Sequence, residues 1–281
     1  MRKGPTLSGT LYLVATPIGN LEDITFRAVR ILKEADLIAC EDTRQTRKLL
    51  DRYGIARPTV SYHEHNETER SLELTAKLLS GTTVALVSDA GMPLISDPGY
   101  RLVRAAIDNG IRVEAVPGAS AMSTALAASG LATDSFYFGG FLPAKAGQRL
   151  RALESHKDET ATLIFYEAPH RIVDALEAVG HALGDRPVVV ARELTKMHEE
   201  FLRGTASEIR TALAARESVK GEITLLIGKR TAAADDGTPL AEAVAALIRE
   251  GTSRMEAIKT VAHRRGLSKR AVYAELEKLK G

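Results

Sequence analysis

Residues 10–20 read TLYLVATPIGN, an apolar run followed at once by a loop of proline and glycine. Short apolar and β-branched runs of this kind are typical of buried strands. Nine similar runs follow along the chain, with segments of helical spacing between them. This alternation predicts a parallel or mixed sheet covered by helices, which is an α/β fold.

The runs fall into two groups, which predict two α/β domains. The first group comprises residues 10–15, 37–40, 59–62, 83–87 and 113–116. The second comprises residues 135–139, 160–166, 187–192, 199–202 and 222–228. Helices are expected at residues 25–35, at 68–79 with Gly81 as the C-cap glycine, and at 119–129. A Pro-Gly pair at 117–118 interrupts regular structure, so we expect domains at residues 1–118 and 119–230.

Residues 231–281 differ from the rest of the chain. The segment KRTAAADDGT, residues 229–238, has no apolar period and is typical of a linker. Helices are expected at 239–249, 254–265 and 268–279, and the last two resemble a helix-turn-helix. Residues 252–281 hold eight lysines and arginines against three glutamates, although the whole chain carries a formal net charge of only +2. The basic charge is therefore concentrated at the carboxyl end.

The composition is that of an ordinary soluble globular protein, with 281 residues, 44% hydrophobic and 26% charged. The single cysteine, Cys40, excludes an intramolecular disulfide and leaves too little sulfur for a thiolate zinc site, so no metal is expected. There is neither an apolar run of 18 residues nor a secretory signal, which predicts a cytoplasmic protein that does not bind membranes.

Three loops rich in proline and glycine follow three strands of the first predicted sheet. They read TPIGN at 16–20, SDAGMPLISDPG at 88–99 and PGASA at 117–121. None contains a dinucleotide-binding GxGxxG or a P-loop. Each could be a plain turn or helix cap, with Asp89 and Asp97 capping local backbone. A parallel sheet brings such loops together, however, and together they predict one ligand pocket.

The resemblance to a known family rests on several motifs. These motifs, in chain order between residues 10 and 228, are LYLVATPIGNLEDITFRA, ACEDTR, VSDAGMPLISDPG, VPGASA, GFLPAKAGQR, YEAPHR, RELTK and KGEI. In these motifs the chain resembles the tetrapyrrole methylase-like superfamily, and within it the branch that acts on ribosomal RNA. The wider group usually has GPG after the first strand, whereas TPIGN stands here, as in the RNA branch. The departure favours RNA over a tetrapyrrole as the substrate.

This resemblance implies a class III methyltransferase fold: two α/β domains with S-adenosylmethionine in the cleft between them, usually as a homodimer. The small helical extension at the carboxyl end would be an addition to that fold. The implied activity is 2′-O-methylation of a cytidine in the decoding region of 16S ribosomal RNA, within the small ribosomal subunit. The cofactor-binding residues that it implies are Pro17, Gly19, Ser88, Asp89, Ala90, Gly91, Met92, Pro93, Ser120, Ala121, Phe165, Tyr166, Glu167 and Ala168.

Methyl transfer to a ribose hydroxyl requires alignment in a dry site, and a general base adds ~10²–10⁴-fold in rate. The charged or titratable residues that follow predicted strands at the ligand end are Glu41, Asp42, Glu167, His170, Glu193 and Lys196. Of these, Glu167 and Glu193 are the preferred catalytic candidates, together with Lys196. The neighbouring Arg171 and Arg192 leave open that both glutamates only form structural salt bridges.

Basic residues near the predicted cleft and in the tail are candidates for contact with RNA phosphates, which position a nucleic acid without reading its sequence. They are Arg44, Lys145, Arg149, Arg171, Arg264, Arg265, Lys269 and Arg270. The last four surround the turn between the final two helices. Plain surface solvation, or complementing a helix dipole, is the alternative role for such side chains.

Two other functions remain open on the residues alone. A methyltransferase acting on a tetrapyrrole or another small molecule would use the same fold but would give the basic tail no role. A non-catalytic assembly factor that binds RNA would keep the fold without the chemistry.

Overall fold

The computed structural model describes residues 8–230, 238–265 and 267–278. Its first half is a five-stranded sheet in the order β3-β2-β4-β1-β5, in which every neighbouring pair is parallel. The strands are β1 (Thr10–Val14), β2 (Leu37–Cys40), β3 (Thr59–Ser61), β4 (Val84–Val87) and β5 (Arg112–Val116). The helices are α1 (Phe26–Glu34), α2 (Thr43–Arg52), α3 (Glu67–Leu79) and α4 (Tyr100–Asp108). Because the strands are parallel, their carboxyl ends and the loops that follow them share one edge.

The second half is a mixed sheet in the order β6-β7-β10-β8-β9. Only β6 and β7 are parallel, and the other three pairs are antiparallel. Its strands are β6 (Phe136–Phe141), β7 (Thr162–Glu167), β8 (Val188–Arg192), β9 (Glu200–Gly204) and β10 (Ile223–Ile227). Its helices are α5 (Ala121–Ser129), α6 (Ala146–Glu154), α7 (Ile172–Leu183) and α8 (Ala206–Ala214). The predicted α/β class is confirmed, with one parallel sheet and one mixed sheet.

The burial of the strands explains why they appear in the sequence as apolar runs. All residues of β4 and β10 are buried because helices or loops cover both faces of these central strands, so they read as continuous apolar runs. The edge strand β6 is largely exposed on both faces. Cys40 is a buried, free cysteine at the end of β2, where desolvation by burial raises the pKa of its thiol.

Helix boundaries follow local capping chemistry. The Thr25 hydroxyl accepts a hydrogen bond from the Ala28 amide at the start of α1, and Thr205 and Glu208 form a reciprocal capping box at α8. Gly81, expected as a cap, lies two residues past α3 with a φ of 99°. The sequence reading did not place α2, α4, α6, α7 and α8 individually. In α2, for example, only Thr46, Leu49 and Leu50 are buried, which is a weak periodic signal.

The predicted domain boundary near residues 117–121 stays a prediction. The observation that bears on it is that β5 ends at Val116 and that α5 packs on β7, β8 and β10 of the second sheet. The expected linker falls mostly on residues 231–237, which lie outside the described residues.

The carboxyl-terminal segment forms three helices, α9 (Leu240–Arg249), α10 (Arg254–Arg264) and α11 (Lys269–Lys278). They share a small core of their own, made of Val244, Ala257, Ile258, Val261, Ala262 and Val272. Over the described ranges, no helix combines the length and the apolar character that crossing a membrane requires.

Because α9–α11 share a separate core, one substitution should unfold these helices without unfolding the two α/β domains. Val272 is fully buried, so Val272→Asp would place an unpaired carboxylate in a small core, at a cost of several kcal/mol. We expect limited proteolysis to cleave within residues 240–278 while the first two domains keep their thermal transition. The control is Ala271→Asp, one residue earlier and exposed, which should resist cleavage. Equal cleavage of both variants, or loss of the main transition, would contradict this view of the tail.

Candidate active site

A cavity of about 340 Å³ lies between the two domains, at the edge where the strands of the first sheet end. This volume is within the usual range for small-molecule sites, roughly 300–1,000 Å³. Nine of the predicted cofactor residues line it, namely Asp89, Ala90, Gly91, Met92, Ser120, Ala121, Tyr166, Glu167 and Ala168. The three loops therefore converge on one cavity, and β7 supplies the opposite wall.

The loop after β1 is tied to the loop after β4. Thr16 and Gly91 exchange two backbone hydrogen bonds of 2.9 and 3.0 Å, which form an isolated antiparallel bridge. The Thr16 hydroxyl donates to the Ser88 carbonyl at 3.1 Å, and the Ser88 hydroxyl donates to the Gly91 carbonyl at 3.2 Å. The buried Ser88 side chain thus holds the loop in shape.

The loop after β1 also contacts the second domain. The Ile18 side chain packs into a cluster with Ile164, Leu194 and other apolar residues of the second sheet. The Asn20 amide donates to the Thr195 hydroxyl at 3.0 Å. These contacts fix the first domain against the loop that follows β8.

Backbone strain is concentrated at these facing loops. Within the described ranges, the non-glycine residues with positive φ are Leu94, Ser96, Glu193 and Thr195, with φ between 53° and 72°. Each such conformation costs of order 1–3 kcal/mol and persists only where surrounding contacts impose it. Strained residues of this kind cluster at functional sites, and the segments 94–96 and 193–195 both contribute to the cavity wall.

Glu167 is a buried carboxylate on the cavity wall, only 2% exposed. Its Oε1 accepts hydrogen bonds from the Arg171 guanidinium (2.7 Å from Nε) and from the Ala168 amide at 2.7 Å. Its Oε2 is buried and has no hydrogen-bond partner among the residues that the structure describes. A carboxylate held in this way offers one free acceptor, which a donor group in the cavity can satisfy.

Glu193 and Lys196, the other predicted catalytic residues, do not line the cavity. The Lys196 ammonium donates to Glu193 at 2.8 Å and to Glu222 at 2.9 Å. The Lys196 hydrogen bond lowers the pKa of Glu193. Partial burial opposes the charge on Lys196, but its bonds to Glu193 and Glu222 raise the pKa of the amine overall. Both groups are therefore ionised and paired, which makes them a structural tie between the β8 and β10 ends.

Asp97, for which the sequence pattern suggests only a capping role, belongs to an acidic group beside the cavity. Asp97 lines the cavity, and desolvation by burial, together with the charges of Glu41 and Asp89, raises its pKa to about 7. Burial also raises the pKa values of Glu41 and Asp89, whose carboxylates repel each other. By contrast, the Arg44 hydrogen bond lowers the pKa of the half-buried Asp42 to about 2.

Five residues expected at the cofactor site do not reach the cavity wall, namely Pro17, Gly19, Ser88, Pro93 and Phe165. Phe165 lies in the core of the second domain, because alternate residues of a strand point to opposite faces and Tyr166 takes the cavity face. Gly19 instead faces the second domain, where a Cβ atom would lie 2.5 Å from Lys196 Cγ.

Other wall residues were not among the predicted cofactor residues, although the first four named below belong to the loops that were predicted to form the pocket. They are Ile18, Ile95, Ser96, Asp97, Phe141, Pro169, Leu194 and residues 221–224. The KGEI motif at 220–223 was a usable signal for the last of these, because β10 lies between β7 and β8. Gly221 has a φ of 93° and packs against the Glu193 side chain, so no larger residue fits there.

Two residues expected to contact RNA phosphates, Arg149 and Arg171, are engaged in contacts within the fold, and their contact with RNA stays a prediction. Arg149 is only 4% exposed and donates to the Ala144 carbonyl at 3.3 Å. Arg171 is paired with Glu167 and also donates to the Leu142 carbonyl at 3.4 Å. Both guanidinium groups hold the 142–144 segment near the cavity. Arg192 pairs with Glu200 and not with Glu193.

The remaining basic candidates lie nearer the surface. Lys145 is exposed at the start of α6, and Arg44 keeps 88% of its side chain exposed while it pairs with Asp42. Lys269 and Arg270 are exposed at the start of α11, and Arg265 is half-buried. The side chain of Arg264 lies outside the described residues. Within the described part of the chain, no group of histidine, cysteine and acidic side chains is arranged to hold a metal ion.

Comparison with known proteins settles the family. The sequence profile described as Tetrapyrrole (Corrin/Porphyrin) Methylases matches residues 10–210. The chain belongs to this methylase family. The cavity between the domains is thus the candidate active site of a methylase, and members of the family use S-adenosylmethionine as the methyl donor.

Curated relatives of this methylase share nearly its whole length. A protein of Halalkalibacterium halodurans is 54% identical over 94% of this chain and 93% of its own. A protein of Mesorhizobium japonicum is 50% identical over 98% of this chain and 93% of its own, and one of Bacillus subtilis is 46% identical over 96% and 94%. All three are named ribosomal RNA small subunit methyltransferase I.

Solved structures share the fold of this methylase at low identity. A diphthine synthase matches with a TM-score of 0.62 and 14% identity, covering 96% of this chain and all of that one. A uroporphyrin-III-C-methyltransferase from Thermus thermophilus matches with a TM-score of 0.57 and 21% identity, covering 79% of this chain and 94% of that one. They support the two-domain architecture and the expected class III methyltransferase fold.

The Arg171–Glu167 pair should contribute strongly to the stability of the second domain. Arg171→Ala would leave the buried Glu167 carboxylate without its ion pair, and we expect a loss of ~3–5 kcal/mol in the free energy of unfolding. Urea denaturation would measure it. Arg151→Ala, at an exposed position of α6, is the control and should change little. The double variant Arg171→Ala/Glu167→Gln removes the stranded charge and should recover part of the loss; no recovery would contradict the electrostatic explanation.

Proposed function

We propose that this chain transfers a methyl group from S-adenosylmethionine to the 2′-oxygen of a cytidine in the decoding region of 16S ribosomal RNA. The observation that carries the proposal is the interdomain cavity, whose wall joins apolar side chains to the unpartnered Oε2 of Glu167. The shared name of the relatives supports ribosomal RNA as the substrate. The resemblance of the TPIGN loop to the RNA branch favours RNA over a tetrapyrrole as the substrate.

The wall residues fit this cofactor on three counts. Ile18, Met92 and Leu194 provide an apolar surface for a nucleoside ring. The carboxylates of Asp89 and Asp97 favour a positively charged ligand, and the cofactor carries both a sulfonium and an ammonium group. Glu167 Oε2 requires a hydrogen-bond donor, which a ribose hydroxyl or an amine provides.

When bound, S-adenosylmethionine supplies a methyl group that is electrophilic because it is attached to a positive sulfur. The protein has to align the attacking oxygen with that carbon and exclude water. The bridge between Thr16 and Gly91 and the docking of Ile18 keep the cavity walls in place. Glu167 is held by Arg171, so it is suited to orient a hydroxyl through Oε2.

We assign the general base to Asp97. A base works best when its pKa is close to the working pH, and Asp97 meets this condition on the cavity wall. Asp97 would take the proton of the ribose hydroxyl, which would make that oxygen a stronger nucleophile. Glu193 and Lys196, tied to each other and to Glu222, are proposed to hold the wall and not to transfer protons.

The carboxyl-terminal helices are proposed to hold the RNA backbone. Lys269 and Arg270 at the start of α11 are exposed cations on a compact helical unit, and such groups contact phosphates without reading sequence. We further propose that the chain acts as a cytoplasmic homodimer on the RNA within the small ribosomal subunit. Light scattering of the pure protein tests the dimer.

The proposed activity is tested by mass spectrometry of 16S RNA from cells with and without the gene. We expect a single ribose methyl group on one cytidine to be missing in its absence. Pure protein with labelled S-adenosylmethionine should restore it, and free RNA and assembled subunits are compared as substrates. Loss of a base methyl, or no loss at all, would refute the assignment. Uptake of the cofactor without transfer would indicate an assembly factor, and transfer only to a tetrapyrrole would indicate the small-molecule alternative.

The role of Asp97 predicts a specific pH profile. The base must be deprotonated, so kcat/KM should rise with pH, with a midpoint near 7, and level off above it. Asp97→Asn should lower the rate by ~10²–10⁴-fold and abolish the rise. Glu41→Gln removes one charge that raises the pKa of Asp97, so the midpoint should move to lower pH. A flat wild-type profile would eliminate the base, and a loss confined to cofactor affinity would make Asp97 a binding group instead.

A further inference from the structure

The edge strand β6 contains a β-bulge next to the cavity. Phe138 pairs with Ile164 of β7, but the next registered pair is Phe141 with Tyr166, so three steps on β6 face two on β7. Gly140 in the bulge has a φ of 65°, and a Cβ at Gly139 would lie 2.4 Å from the Phe165 ring. A side chain at position 139 would therefore displace the Phe165 ring, and the backbone conformation at position 140 favours glycine.

The bulge changes the face on which Phe141 lies. In a regular strand, residues 138 and 141 point to opposite faces, because side chains alternate. The extra residue cancels one alternation and brings Phe141 opposite Tyr166, on the cavity side. The two rings meet edge to face, with centroids 5.6 Å apart. The sequence FGGF thus aims an aromatic ring at the cavity.

Phe141 is largely exposed, although the β-bulge fixes its position. Its side chain lines the cavity, yet the residue is 57% exposed. A ring that served only the fold would be covered, since burying a phenylalanine is worth roughly 1.5–3 kcal/mol. Its position at the cavity mouth leaves aromatic surface available to a planar group that enters from solvent.

The chemistry next to the ring favours a nucleotide of an RNA chain as that group. Lys145 is an exposed cation four residues after Phe141, at the start of α6. Unpaired bases stack on aromatic side chains, while cations contact their phosphates. Ribose methylation within a cavity also requires the target nucleotide to leave its neighbours.

We propose that Phe141 is the platform on which the base of the target nucleotide stacks when its ribose enters the cavity. This inference rests on the proposed function and deepens it by assigning a substrate-positioning residue. Stacking is tolerant of sequence, so Phe141 holds the base in place without selecting cytidine.

The test compares Phe141→Ala, Phe141→Leu and Phe141→Tyr for kcat, for KM of the RNA substrate and for calorimetric affinity for S-adenosylmethionine. We expect the alanine and leucine variants to raise KM for RNA about 5- to 150-fold, the range for loss of one stacked base. The tyrosine variant should stay close to wild type, because it keeps the ring. Cofactor affinity should be unchanged in all three.

Phe136→Ala is the matched control, since Phe136 is also an exposed aromatic residue of β6 but does not line the cavity. It should leave KM for RNA unchanged. Deleting Gly140 should abolish the bulge and reproduce the alanine effect with Phe141 intact; the side-chain series decides the matter if this variant does not fold.

Several outcomes would overturn the stacking role. Normal KM in Phe141→Ala, with methylation intact, would refute it and leave the proposed function standing. Weakened cofactor affinity with unchanged KM would assign the ring to the methyl donor, and dissociation in light scattering would assign it to a subunit interface. Equal KM in the leucine and wild-type proteins would show that the side chain provides only apolar contact and does not stack on a base. Absence of RNA methylation by the wild type would remove the proposed function together with it.

Discussion

The site depends on the docking of one short loop between two domains. Thr16 is bridged to Gly91 within the first domain, while two residues further on Ile18 is packed in the apolar cluster of the second. A single turn of chain therefore sets the distance between the walls of the cavity. Gly19 leaves no room for a side chain against Lys196, so the approach is as close as the backbone allows. The strained φ angles of the loops on either side are sustained by these contacts, because they would otherwise relax.

The charged groups around the cavity divide into those with a cation partner and those without one. Glu167 and Glu193 each have a cation partner, Arg171 and Lys196 respectively. Asp97 faces only carboxylates, Glu41 and Asp89, among the charges that shift its pKa. A carboxylate with a cation partner stays ionised and keeps its position. Burial and nearby like charges raise the pKa of a carboxylate, so that it can exchange a proton near neutral pH. In the proposed function, Glu167 therefore orients the ribose hydroxyl and Asp97 accepts its proton.

Two local departures from regular structure place side chains at or near the cavity. The bulge in β6 carries Phe141 to the cavity face, and the positive φ of Gly221 lets the Glu193 side chain lie against the backbone that enters β10. Both devices lie on the second domain, whose mixed sheet brings the end of β7 and the beginning of β10 to the same edge. The first domain reaches that edge with loops, because its parallel strands all end there.

The ten strands of the described ranges, the two-sheet α/β class and the convergence of the three loops could all be predicted from the amino-acid pattern, because buried strands and Pro-Gly turns are local signals. The family resemblance added nine residues that line the cavity. Which side chains are free to act depends on the packing of the folded chain. Arg149 is basic in any reading, and only packing makes it buried; Phe165 and Tyr166 are neighbours that a strand sends to opposite faces. The raised pKa of Asp97 depends first on burial and then on the charges of Glu41, which follows a different strand, and of Asp89 in its own loop. Burial and long-range charge are properties of the folded chain, so no local pattern encodes them.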